Sequence, residues 1–209
     1  MASKKFYTVW EGHQPGVYDS WKECQRQIKN YPQAKFKSFP SVKAAQEALE
    51  GNYWSYVGKK EAKEVDPKLV KKVGEPILNS ISVDAACSGN PGTMEYRGVL
   101  TSNKQQIFRK GPYKQSTNNI GEFLALVHVL ALCKKNGDTR PIYSDSRTAM
   151  SWVRNKKVKT TLKPNAVNAD SFEMINRALY WLKNNSYKNA VLKWETRAWG
   201  EIPADFGRK

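Results

Sequence analysis

Three carboxylates stand where the surrounding sequence would bury them. Asp84 closes the apolar run Ile81-Ser82-Val83-Asp84 ahead of a turn rich in Gly, Asn and Pro (Ser88-Gly89-Asn90-Pro91-Gly92). Glu122 falls in the first turns of an apolar helix, and Asp145 ends the segment Arg140-Pro141-Ile142-Tyr143-Ser144-Asp145. An unpaired carboxylate out of water costs several kcal/mol or more, so each needs hydrogen bonds, a base or a cation. Each also has a plain structural use: Asp84 as a turn-former, Glu122 as half of a capping interaction, Asp145 as a helix N-cap through Ser144-Asp145-Ser146. If the strands ending in Asp84 and Asp145 run parallel, the two acids converge in the crevice where such sheets bind ligands. Converging carboxylates repel, which raises a pKa or recruits cations. An all-oxygen donor set with no Cys or His cluster selects hard ions, so Mg²⁺ is expected, with Mn²⁺ as a substitute. Two such ions about 3.5–4 Å apart activate a water and stabilise the departing oxygen of an in-line phosphodiester displacement.

The elements that would position these acids lie between Ile77 and Lys209. A strand reaching Asp84 is followed by strands over roughly Tyr96–Thr101 and Gln105–Arg109, joined through Ser102-Asn103-Lys104 as an antiparallel turn. Thr117-Asn118-Asn119 caps a helix from Ile120 to Cys133 whose apolar residues leave little polar face, so it packs on the sheet. A helix through Ala149, Met150 and Trp152 follows the fourth strand. A helix over Asn168–Lys183 and a strand over Ala190–Trp194 complete a mixed five-stranded α/β unit flanked by helices.

The first fifty residues read as a separate, small ββαβα domain. Lys5–Trp10 and Val17-Tyr18 form a hairpin, Asp19 or Ser20 caps a helix through Trp21, Cys24 and Ile28, Lys35–Phe39 is a third strand, and Ser41 opens a helix that Gly51 stops. Aromatics interleave with lysines here, a pattern that suits nucleic acid, although such rings also serve as the core of a tiny domain. Between Asn52 and Pro76 the chain is rich in Lys and Glu and reads as a linker, with Tyr53, Trp54 and Tyr56 able to pack back on the first domain. The domains are therefore 1–51, 52–76 and 77–209.

With 35 Lys and Arg against 19 Asp and Glu, a net charge of +16 points to a polyanionic partner, nucleic acid before anionic membrane. Residues 77–209 hold 21 of those basic residues, including the run Arg154–Lys163, so most of the basicity surrounds the carboxylates. No apolar run reaches membrane-spanning length, and Met-Ala-Ser-Lys-Lys lacks the apolar segment of a secretory signal, so a cytoplasmic location is expected. Cys24, Cys87 and Cys133, odd in number and far apart, read as reduced thiols.

The segments Lys5-Phe6-Tyr7-Thr8-Val9-Trp10, Gly16-Val17-Tyr18, Trp21-Lys22-Glu23-Cys24 and Ala34-Lys35-Phe36-Lys37-Ser38-Phe39 closely resemble the hybrid-binding domain of type 1 ribonucleases H. The resemblance implies that this domain grips RNA/DNA hybrid across the minor groove, with Tyr7 and Trp21 packing on the DNA strand, Lys37 on phosphate, and Phe36 also in the hybrid-binding set. Family members carry a second lysine where this chain has Ser38, which implies weaker binding. Double-stranded RNA is a further ligand open to such a domain.

Val83-Asp84-Ala85 with Ser88–Gly92, Thr117-Asn118-Asn119-Ile120-Gly121-Glu122, Tyr143-Ser144-Asp145-Ser146 and Ile202-Pro203-Ala204-Asp205 resemble, in order, the four acidic motifs of ribonuclease H. The family implies a ribonuclease H-like fold, hydrolysis of the RNA strand of RNA/DNA hybrids to 5′-phosphate and 3′-hydroxyl ends, and a monomer. Carried over, Asp84, Glu122, Asp145 and Asp205 are the catalytic, metal-binding set. Many members place a mobile His before the last Asp; here Trp199-Gly200-Glu201 resembles a bacterial subgroup with Glu in that role. Glu201 and Asp205, four residues apart, would share one helical turn and face one site. The resemblance puts Cys87, Ser88, Gly89, Asn90, Asn118 and Ser146 on the RNA strand, and Thr117, Asn119, Trp152 and Thr160 on the DNA strand, with Trp152 equally suited to the core. The alternative is a non-catalytic binder of hybrid or double-stranded RNA, against which the complete acidic set argues.

Overall fold

A computed structural model describes residues 5–56 and 67–207 of the chain, which separates into two compact units dividing at Glu61. In the first unit, β1 (Phe6–Glu11) lies between β2 (Gly16–Tyr18) and β3 (Lys35–Phe39) in an antiparallel sheet, with α1 (Trp21–Ile28), α2 (Val42–Glu50) and α3 (Tyr53–Tyr56). The expected caps form: Ser20 and Ser41 hydroxyls accept from the main-chain N–H groups of Glu23 and Ala44. Strand alternation sends Thr8 and Trp10 toward α2, where they donate to the carbonyls of Ala45 (2.7 Å) and Ala48 (2.8 Å).

The second unit opens with α4 (Pro67–Val73), followed by β4 (Ile81–Cys87), β5 (Gly92–Leu100), β6 (Gln106–Ser116), α5 (Asn118–Asn136), β7 (Ile142–Ser144), α6 (Arg147–Asn155), α7 (Ala169–Asn184), β8 (Val191–Lys193) and α8 (Thr196–Trp199). Its sheet runs β6-β5-β4-β7-β8, antiparallel across the first three strands and parallel from β4 to β8. This is the expected mixed sheet, with β5 and β6 longer than their apolar cores. Ile81, Val83, Ala85 and Ile142 face a large core with α5 and α7, while Tyr143 faces a smaller cluster with Trp194, Trp199 and Ile202 on the opposite side.

The expected linker is docked where it is described. Tyr53 and Tyr56 pack on Trp10 at 5.3 and 5.8 Å within the first unit. At the other end, Trp199 Nε1 donates to the Gly74 carbonyl within the second. Residues 57–66 of the expected linker, residues 1–4 of the expected leaderless start and residues 208–209 lie outside the described residues. No described helix is long and apolar enough to cross a membrane.

Candidate active site

β4 and β7 pair through Ile81↔Ile142 and Ser82↔Tyr143, where their pairing stops. Extending that register two residues sets Asp84 opposite Asp145, beyond the last paired rung. The third acid arrives from α5. Thr117 caps this helix by accepting from Ile120 N–H, and Gly121 lets its first turn lie against the sheet: a Cβ there would sit 2.7 Å from Ala85 Cβ and 2.8 Å from Met94 Sδ. Glu122, the next residue, is thereby held beside Asp84. One carboxylate oxygen from each of Asp84, Glu122 and Asp145 lies within 4.8 Å of the others.

None of the three plain structural uses describes them. Asp84 lies within a strand rather than a turn. Ser146, not Asp145, caps α6 by accepting from Ala149 N–H. Glu122 Oε1 accepts from Asn118 Nδ2 at 2.6 Å, and its buried Oε2 has no hydrogen-bond partner. Burial, then the charges of Asp145 and Asp205, raise the pKa of Asp84 to about 7, against hydrogen bonds from the N–H groups of Ala85 and Phe206. Burial, then Asp145 and Asp84, raise that of Glu122 to about 8, with Lys193 pulling the other way. A mutually repelling oxygen cluster, buried at Asp84 and Glu122 and half-buried at Asp145, with one orphaned oxygen, fits a hard divalent cation.

Asp205 adjoins this group through its charge on Asp84, while its Oδ2 accepts from Gly207 N–H at 2.9 Å. Glu201 is exposed and lies outside the three-acid group. The expectation that Glu201 and Asp205 share a helical turn is corrected: α8 ends at Trp199, Gly200 turns the chain at φ 74°, and Ala204 to Phe206 are held in a non-helical segment.

The turn after β4 leaves Ser88, Gly89 and Asn90 exposed, with Ser88 tied to Thr93 and Cys87 Sγ donating to the Ser116 carbonyl. Asn118 and Asn119 are exposed at the start of α5, and Thr160 Oγ1 accepts from Leu162 N–H. Trp152 takes the core place that was its other expectation: it is 6% exposed and edge-on to Phe123. In the first unit, Tyr7, Trp21 and Phe36 form a strip with ring spacings of 5.5 and 5.8 Å, Trp21 being 44% exposed. Lys37 does not join them. Strand alternation turns it to the opposite face, where Nζ donates to the Tyr56 carbonyl.

Sequence reasoning missed Arg97, Lys193 and Phe206. Arg97 is the cross-strand partner of Asp84, and folding β4 and β5 as a hairpin about Gly89–Gly92 would have paired them.

This sheet order, with acids from two parallel strands and the helix between them, defines a ribonuclease H fold. The family model described as RNase H matches residues 79–196, and that described as Ribonuclease H1 N-terminal domain matches residues 5–49, so the chain belongs to the ribonuclease H family. It is 27% identical over 149 residues to Ribonuclease H1 of Homo sapiens, covering 65% of this chain and 45% of that one. With Ribonuclease H of Bradyrhizobium sp. (strain ORS 278) it shares 30% identity over 122 residues, 51% of this chain and 78% of the relative. The chain thus spans less than half the length of the human relative and most of the bacterial one. Among solved structures, LC11-RNase H1 isolated from compost aligns at 19% identity and a TM-score of 0.39 over 57% of this chain and 88% of that one.

Proposed function

We propose that the chain is an endoribonuclease that hydrolyses the RNA strand of RNA/DNA hybrids with Mg²⁺, or Mn²⁺ in its place, leaving 5′-phosphate and 3′-hydroxyl ends. The observation that carries this is the convergence of Asp84, Glu122 and Asp145 with Glu122 Oε2 left without a partner. A pair of divalent ions held there would supply Lewis acidity at the phosphate and lower the pKa of the attacking water.

The protein's own groups set the geometry. Asn118 fixes Glu122 through Oε1 and leaves Oε2 for the cation, and Asp205 is the fourth acid, beside Asp84. Glu201, exposed nearby in sequence, is assigned an auxiliary part in product departure. Main-chain groups at Cys87–Gly89, with Asn90, Asn118 and Ser146, are placed on the RNA strand, where contact with the 2′-hydroxyl separates RNA from DNA. Thr117, Asn119 and Thr160 are assigned to a DNA phosphate. The first unit retains the hybrid through Tyr7, Trp21 and Phe36, whose clustering and exposure suit stacking on sugar or base.

Purified protein incubated with hybrid labelled on either strand tests the proposal. Shortening of the RNA strand alone, with Mg²⁺ and not with chelator, is expected; hybrid left intact at every metal concentration would refute it.

A further inference from the structure

Arg97 and Arg109 are cross-strand neighbours on β5 and β6, an arrangement that costs free energy unless both charges are compensated. Arg109 has Glu95, with Nη2 2.8 Å from Oε2. Arg97 instead donates Nε to the Ala204 carbonyl at 2.9 Å and Nη2 to the Asp205 carbonyl at 2.6 Å. The Phe206 ring covers both guanidinium groups, 4.7 Å from Arg97 Cζ and 5.5 Å from Arg109 Cζ. The Phe206 N–H, one peptide beyond Asp205, donates to the Asp84 carboxylate. Non-helical chain carrying one acid is thus fixed at two successive carbonyls, at one ring and at one N–H.

The geometry points to Arg97 as a positioning residue for the metal site: its fork, with the Phe206 ring stacked over it, latches residues 204–206 against β5 and so holds Asp205 beside Asp84. This rests on the proposed metal-dependent site. The pairing explains why Arg97 stands opposite Asp84 without quenching it. The Nε/Nη2 edge of the guanidinium goes to main-chain oxygens rather than to a carboxylate, so the carboxylates stay available to a cation while the positive charge remains near. Two carbonyls offset by one residue need donors in a rigid plane, which Arg supplies and the single ammonium of Lys does not.

Calorimetric titration of Mg²⁺ into the full chain, and cleavage of hybrid across a Mg²⁺ series, test this with Arg97→Lys and Phe206→Ala. Arg97→Lys is expected to bind Mg²⁺ ~10-fold more weakly and to need ~10-fold more for half-maximal cleavage, while the plateau rate at saturating Mg²⁺ is retained. Phe206→Ala shifts the same way by less, because its main-chain N–H persists. Since Phe206 is only half-buried, that variant carries the test should Arg97→Lys fail to fold. Metal affinities equal to wild type in both variants would overturn the latch, as would a lowered plateau at unchanged affinity, which would put Arg97 on the nucleic acid. A wild-type protein that binds no Mg²⁺ would overturn the site itself, and the latch with it.

Discussion

Asp84 and Glu122 hold protons that ordinary carboxylates have lost well below neutral pH, with pKa values of about 7 and about 8. A carboxyl whose pKa rises on folding keeps its proton in the folded state after the unfolded chain has released it. Metal-free stability therefore falls as pH climbs from about 4, the unfolded value, through the folded values. Asp84→Asn removes one such group. In chelator at pH 8 it should melt ~4 °C or more above the parent, with the difference vanishing near pH 4; calorimetric melts at both pH values check this. Binding of a divalent ion must displace these protons, so affinity should strengthen from pH 6 to pH 8. Asn118→Ala acts by another route. It frees Glu122 Oε1 from its 2.6 Å hydrogen bond and should weaken Mg²⁺ binding by ~10-fold, measured by titration calorimetry.

At the scale of elements, the site exists because α5 can approach β4 over a residue without a side chain. Gly121→Val places atoms where Ala85 Cβ and Met94 Sδ already stand, so it should destabilise the fold by ~1–3 kcal/mol, read from denaturant unfolding, and lower cleavage by moving Glu122. Much of this was legible in sequence, because capping and parallel-strand convergence are local or register-driven. Ser20, Ser41 and Thr117 cap as their types predict, and Asp84 meets Asp145 through the pairing of Ser82 with Tyr143. The outer ends of β5 and β6 were not legible: the strands expected over Tyr96–Thr101 and Gln105–Arg109 extend back to Gly92 and on to Ser116, past Gly111-Pro112. β6 is an edge strand whose ladder tolerates register shifts, and proline is at home there. Nor could spacing alone place Glu201, because α8 ends at Trp199, Gly200 takes a positive φ, and the residues from Glu201 to Asp205 are not helical. Lys37 went to the other face of its sheet for an equally simple reason: odd and even strand positions point apart, which separates it from Phe36.

At the scale of the whole molecule, a unit carrying a strip of exposed rings is joined in sequence to a basic unit carrying the acids, and the proposed function gives binding to the first and cleavage to the second. Retention and chemistry should therefore separate in kinetics. Trp21→Ala removes the most exposed ring of the strip and should raise KM for long hybrid ~10-fold with kcat unchanged, a loss of uniform binding. Since the chain carries +16, affinity for hybrid should also fall steeply with salt, which binding isotherms at several ionic strengths would show. The central claim, that the three converging acids cut the RNA strand of a hybrid, is tested most directly by Asp145→Asn assayed beside wild type on hybrid, double-stranded RNA and DNA duplex with Mg²⁺. The account predicts that wild type cuts only the RNA strand of the hybrid and that the variant, still folded and still binding hybrid, cuts it ~10²-fold or more slowly. A variant that cuts as fast as wild type would contradict it.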